Sequence, residues 1–168
     1  MGWTGGPAPK PRTALNLIAF DLGESFADRV LATHKDGKTI YAAVRAQDGN
    51  QVFGLVLLTD SGPGGTVYTK SVTEDMGPAE ARCPARILDL LTATDSEYAL
   101  KWRQRCRDYA AQPRPSKGQR VRFATALEFT NGDRIREFTY QGGSRFAAGG
   151  QEYYISRWSD QRFTIVEA

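Results

Sequence analysis

Few side chains in this 168-residue sequence have the types and spacing for catalysis. There is one histidine, His34, and there are two cysteines, Cys83 and Cys106. A Cys-His nucleophile pair needs the base within hydrogen-bond reach of the thiol. His34 falls at the end of a predicted strand and Cys83 just before Pro84, so only a chance of folding would join them, and no dyad is expected. One histidine and two cysteines 23 residues apart do not make a structural zinc set. Glu74-Asp75 places two carboxylates side by side. Such a pair can bind a cation or draw a basic partner, but a solvated run capping a turn is the simpler expectation. Ser61-Gly62-Pro63-Gly64-Gly65 is glycine-rich but lacks the Gly-Lys-Ser/Thr ending of a phosphate loop and the dinucleotide spacing, which leaves a hairpin loop. No catalytic residue, metal site or cofactor is assigned. The enzyme class would have to rest on Cys83 or on Glu74 and Asp75.

Binding chemistry concentrates in the last third. Arg120, Arg122, Arg134, Arg136, Arg145, Arg157 and Arg162 are interleaved with Phe123, Phe138, Tyr140, Phe146, Tyr153, Tyr154 and Trp158. Arginines among aromatics can follow a phosphate backbone and stack bases, although a small β domain also needs aromatics for its core. Glu128, Asp133, Glu137 and Glu152 dilute the field. The candidate binding residues are Arg120, Arg122, Arg134, Arg136, Arg145, Arg157, Tyr154 and Trp158.

The densest apolar pattern lies over residues 83–112 and predicts two short-linked helices. Pro84 suits a first helical turn, with Ile87, Leu88 and Leu91 on one face. Thr94 and Glu97 have capping-box spacing. Tyr98, Trp102, Cys106 and Tyr109 then form the stripe of a second helix. Lys101 and Arg105 on one side and Arg103 and Arg107 on the other read as charged rims whose stems cover apolar surface. A DNA-reading helix-turn-helix would need an exposed recognition face, where this helix offers an aromatic one.

Upstream, residues 1–12 are too rich in Gly and Pro for regular structure, and Trp3 is expected to dock on the domain, the alternative being a partner. A helix over 14–21 follows, capped by Thr13 and ended by Gly23. Strands are predicted at 29–34, 39–46, 52–58 and 67–72. The third is nearly all apolar and therefore central, buried on both faces. Downstream of 112, Pro113-Arg114-Pro115-Ser116-Lys117-Gly118 has linker composition. Strands at 120–124, 126–129, 134–140, 144–146, 152–157 and 163–166 then suggest a small SH3-like barrel. The expected class is α+β: an antiparallel meander with the helices at 14–21 and 84–111 on one face, then the barrel. The domains are 1–112 and 119–168, joined by 113–118.

The sequence carries 22 basic and 19 acidic residues, a net charge of +3. Residues 1–112 balance, with 13 of each sign, and residues 113–168 hold 9 against 6. That excess does not by itself demand a nucleic acid. No apolar run approaches a membrane span, no signal-peptide core is apparent, and Gly6 stands where a myristoylation motif wants Ser or Thr. Two cysteines inside a helical stretch read as a reducing, cytoplasmic setting.

Several motifs carry a resemblance: Met1-Gly2-Trp3-Thr4, Met76-Gly77-Pro78, Cys83-Pro84, Ile87-Leu88-Asp89-Leu90-Leu91-Thr92 and Trp102-Arg103-Gln104-Arg105-Cys106-Arg107. Val121-Arg122-Phe123-Ala124, Asn131-Gly132 and Phe138-Thr139 add looser matches. Together they resemble a family of small proteins of unknown function carried by bacteriophages and other mobile elements. Region 10–25 is less charged than the family's helix there. The resemblance implies a bacterial cytoplasm and a mobile-element role. Taken with the missing catalytic constellation and a two-part fold with mixed-charge faces, the leading expectation is a non-enzymatic accessory protein that binds a host or defence component, as an inhibitor of a CRISPR or restriction complex would. The competing expectation is a nucleic-acid-binding module built on the arginines.

Overall fold

The computed structural model describes residues 13–61 and 67–167. The leader with Trp3 and most of the expected 61–65 loop lie outside the described residues. The chain divides into two compact units, Met1–Ala110 and Ala111–Ala168.

The first unit opens with α1 (Ala14–Leu22), whose Thr13 hydroxyl accepts from the Asn16 amide at 3.2 Å. Gly23, at φ 97°, turns the chain out of α1 into α2 (Glu24–Ala27), a short helix the pattern did not foretell. Four strands follow: β1 (Val30–Asp36), β2 (Thr39–Arg45), β3 (Val52–Ser61) and β4 (Val67–Thr73). They form an antiparallel meander in that order, as the short connection of Gly37-Lys38 between β1 and β2 requires for that pair.

The helices do not share one face of this sheet. Ile40, Ala42, Val44, Leu55 and Leu57 pack with Leu17, Ile18 and Ala27 of α1 and α2. Tyr41, Ala43 and Val56 pack instead with Cys83, Ile87, Leu88, Trp102 and Cys106. The physical reason is that β2 and β3 are apolar at both parities, and successive strand residues point to opposite faces. One helical layer could cover only half of those side chains.

The helical pair is shorter than its pattern. Pro84 is the N-cap of α3 (Ala85–Leu88) rather than inside it, and Leu91 packs from the following turn. In α4 (Glu97–Ala111) the buried residues are Ala99, Trp102, Arg103 and Cys106. The stripe is thus rotated from the expected one: Trp102 is fully buried but Tyr98 is 66% exposed. Two contacts set the rotation. The Trp102 indole lies against Gly54 of β3, where a Cβ would come within 2.9 Å of the ring, and its N–H donates to the Glu80 carbonyl at 2.7 Å. Arg103, expected as a rim, is drawn inward by Glu74.

The capping box is also displaced. Ser96 accepts from the Ala99 amide at 3.3 Å, and the Thr94 hydroxyl accepts from the Ser96 amide at 3.2 Å. Glu97 turns outward to Lys101 at 2.5 Å. The hydrogen bond from Lys101 lowers the Glu97 carboxyl and raises the lysine.

The second unit is β5 (Arg120–Glu128), β6 (Arg134–Gly142), β7 (Arg145–Ala148), β8 (Gln151–Tyr154) and β9 (Phe163–Val166). Their order is β8-β7-β6-β5-β9, all neighbours antiparallel. No ladder joins β8 to β9 among the described residues, so the sheet is open where a closed SH3-like barrel was expected. Closure needs tilted strands with matched stagger. Here β9 has only four residues and pairs with β5 solely over Arg120–Phe123. The architecture remains α+β, with two antiparallel sheets. The end of the expected linker belongs to this unit, since the Gly118 amide donates to the Tyr140 carbonyl at 2.7 Å.

One side of this sheet is aromatic. Phe123 is ringed by Phe138, Phe146 and Phe163 with centroids 5.7, 5.9 and 6.1 Å away. Such tilted and edge-on pairs add to the area they bury.

Candidate binding face

The opposite side of the C-terminal sheet follows from alternation and register. Val121 and Phe123 point into the aromatic core, so Arg120 and Arg122 point away from it. Arg122 pairs across the ladder with Glu137, Thr139 with Ala147, and Arg145 with Tyr154. Residues paired in a ladder share a face, so Arg120, Arg122, Glu137, Arg145, Glu152 and Tyr154 all lie on the outer one. Arg162 joins them, because its carbonyl accepts from the Ala124 amide at 2.9 Å, two residues on from Arg122.

Glu137 organises the middle of this face. It accepts from Arg122 Nε at 2.6 Å and from Arg120 at 2.5 Å. The hydrogen bond from Arg122, with the charges of both guanidinium groups, holds the Glu137 carboxyl below the usual carboxylate range. The two guanidinium groups are thereby fixed side by side on an exposed surface. Tyr154, 73% exposed, stands beside Arg145 as a large aromatic in water. The smaller Thr139, Thr164 and Ala147 occupy intervening positions.

The expected binding residues therefore divide. Arg120, Arg122, Arg145 and Tyr154 share the outer face, as two pairs, Arg120–Arg122 on β5 and Arg145–Tyr154 on β7 and β8. Arg134 lies at the start of β6, opposite Glu128. Arg136 donates from Nε to the Phe123 carbonyl at 2.8 Å, where the β5–β6 register is interrupted. Arg157 occupies the left-handed region at φ 54° and pairs with Asp160 at 3.0 Å. Trp158 closes the aromatic core, 5.3 Å from Tyr140 and 5.4 Å from Phe163, and donates to the Gly143 carbonyl at 2.9 Å. Glu137, read from sequence only as a diluting charge, is what arranges two of the arginines. Its place opposite Arg122 needs the register, which composition does not contain.

Glu74 and both thiols of the first unit are engaged in its core. Glu74, 3% exposed, accepts from Arg103 Nε and Nη2, both at 2.7 Å, and from the Gly54 amide at 3.1 Å. The last β3–β4 pair is Leu55 with Thr73, so this carboxylate takes the next ladder position. The expectation of a solvated Glu74 is thus reversed, while Asp75 is exposed and takes the Thr73 hydroxyl. Burial pushes the Cys106 thiol up to about 11 and the Cys83 thiol further. A nucleophilic thiol needs the opposite shift. His34 Nδ1 faces the Arg86 guanidinium at 3.4 Å, and the Cys83 sulfur lies 3.9 Å from the Pro84 carbonyl. No cluster of three or more metal-ligating side chains occurs among the described residues. No helix among them is long and apolar enough to cross a membrane.

A family profile described as a domain of unknown function (DUF6927) matches residues 93–165. That stretch takes in α4 and nearly all of the C-terminal sheet and crosses the boundary between the two units. No curated protein and no solved structure matches the chain.

Proposed function

We propose that this chain is a non-catalytic binding protein and that the outer face of its C-terminal sheet is the surface it presents to a protein partner. The observation that carries this reading is the exposed Arg145–Tyr154 pair on the same face as two arginines held in place by Glu137. Tyrosine and arginine dominate the energetics of protein interfaces because each combines a large contact area with directional hydrogen bonding. The buried thiols and the Glu74–Arg103 pair support it, since these groups already serve the fold. The narrower form is a mobile-element accessory protein acting in the bacterial cytoplasm on a host or defence component, such as a CRISPR or restriction complex. That form draws on the sequence resemblance rather than on geometry.

The test is a photo-crosslinking amino acid placed at Tyr154 and, as a control, at the exposed Lys38, with the chain expressed in a bacterial host. The expected result is protein adducts at position 154 that Arg145→Glu abolishes and that are missing at position 38. Equal labelling at both positions, or none at 154, removes the reading.

The four arginines of this face against two glutamates favour a second reading, a nucleic-acid ligand. It predicts an affinity whose logarithm falls steeply with the logarithm of salt concentration. Unchanged mobility of labelled DNA and RNA at low salt discards it. One observation counts against it: Trp158 packs, half-buried, against the aromatic core, which leaves Tyr154 as the large aromatic on the face for stacking.

A further inference from the structure

We propose that the free edge of β9 captures an extended acidic segment of the partner as an additional strand of the C-terminal sheet. This rests on the binding reading above and names its mode and its ligand chemistry.

The backbone pattern defines the edge. The Ala124 amide donates to the Arg162 carbonyl, which sets the alternation along the β5–β9 ladder. Arg162, Thr164 and Val166 turn their amides and carbonyls toward β5. Phe163 and Ile165 turn theirs away, to a side where no strand lies among the described residues. An unpaired row of alternating donors and acceptors is a template for another strand.

The other edges carry the features that discourage such pairing. β1 ends in Lys35-Asp36, and Arg86 is bonded to its Thr33 carbonyl at 2.8 Å. β4 bears Lys70, and its Thr69 hydroxyl is tied to Asp21 of α1 at 2.6 Å. β8 bears Glu152. β9 shares one such feature, its length of four residues, but Phe163-Thr164-Ile165-Val166 has no charge and no proline. Charges and proline are what proteins place on edges they keep closed.

Charge complementarity selects the ligand. Side chains of an added strand that share the face of Thr164 lie next to Arg162, about 5 Å away in the plane of the sheet. Arg122 and Arg120 stand one strand further in. Arg162 makes no ion pair among the described residues, whereas Arg120 and Arg122 share Glu137. Carboxylates suit that face. The alternate side chains of the added strand fall on the side of the half-buried Ile165 and of Phe163, which packs in the aromatic core, so apolar residues suit those positions. The partner segment therefore alternates acidic and apolar residues.

The probe is a fluorescein-labelled peptide of alternating Glu and Val, about ten residues long to span a strand and its flanks, titrated against the full chain at low salt. The expected result is saturable binding. N-methylating the Glu amides or the Val amides separately should weaken it by roughly tenfold or more in one case and little in the other, because only one set faces the edge. Ile165→Pro removes an outward N–H while leaving the amides that face β5, and should weaken binding by a similar factor. Should that variant fail to fold, amide exchange on the unmodified chain decides: saturating peptide should slow exchange at Phe163 and Ile165. Five results overturn the proposal: no saturable binding, equal binding by a Lys-Val peptide, tighter binding by oligo(dT), indifference to both methylations, or unchanged exchange. If these effects are missing while adducts at position 154 persist, strand addition alone falls; if the adducts are missing, the binding reading falls with it.

Discussion

In the N-terminal unit the β2–β3 ladder is apolar on both faces, and helices pack on each of them. In the C-terminal unit alternation divides the strands, with Phe123, Phe138, Phe146 and Phe163 inward and arginines, threonines, glutamates and Tyr154 outward. The difference shows where function can reside. A sheet covered on both faces must use its polar groups internally, and Glu74, Arg103 and both thiols are taken up in that way. A sheet with one core face leaves its other face to exposed side chains, which is where the proposed binding surface lies. The DUF6927 match includes the whole of the second sheet's outer face except Val166, and only α4 from the first unit's core.

The largest effects should therefore come from the first unit. Glu74→Ala leaves Arg103 buried without its carboxylate and should cost about 3–5 kcal/mol by denaturant unfolding. If it costs less than about 1 kcal/mol, the pair is solvated and the contrast between the units weakens. Gly54→Ala forces the Trp102 indole off β3 and should cost about 1–3 kcal/mol, a loss that Trp102→Phe should partly relieve.

A pH series sharpens the same contrast. The Cys106 thiol is raised from 9.0 to about 11 on folding, so the folded state holds its proton more tightly than the unfolded state. Its contribution is complete below the unfolded value and is lost as pH rises from about 9 to about 11. Unfolding midpoints should fall across that window, and less so in Cys106→Ala relative to its own value at pH 7. A flat profile would contradict burial of the thiol.

Ser96→Ala should cost about 1 kcal/mol by removing the cap of α4, and more than Thr94→Ala does. The reverse order would restore the capping box. The smallest effects belong to the outer face: Tyr154→Ala and Arg145→Ala should each shift stability by no more than about 0.5 kcal/mol, and Arg145→Ala should also sharply reduce adduct formation by the crosslinker at position 154. Destabilisation beyond that would mark these side chains as structural.

The strand boundaries of the meander were legible because β2 and β3 are bounded by Gly37 and by the Asp48-Gly49-Asn50 turn, both of which break extended structure. The aromatic content of the second sheet was legible too. The role of Trp158 was not, because a tryptophan after a strand looks the same whether it points into a core or over a surface. Arg103 was misread because helical spacing alone marks it as a rim, and the carboxylate that brings it inward is 29 positions away.

The amino-acid order alone set the local pieces: which stretches extend, which coil, where glycine turns the chain, and that arginine gathers near the end. These depend on neighbours a few residues apart. Tertiary structure decided which charges are buried and which meet. It placed Glu74 at the end of a ladder with Arg103, set Glu137 between Arg120 and Arg122, and left β9 with an edge that no strand pairs among the described residues. Those outcomes depend on register and on packing between distant segments, and a change of one residue in register would reverse every face.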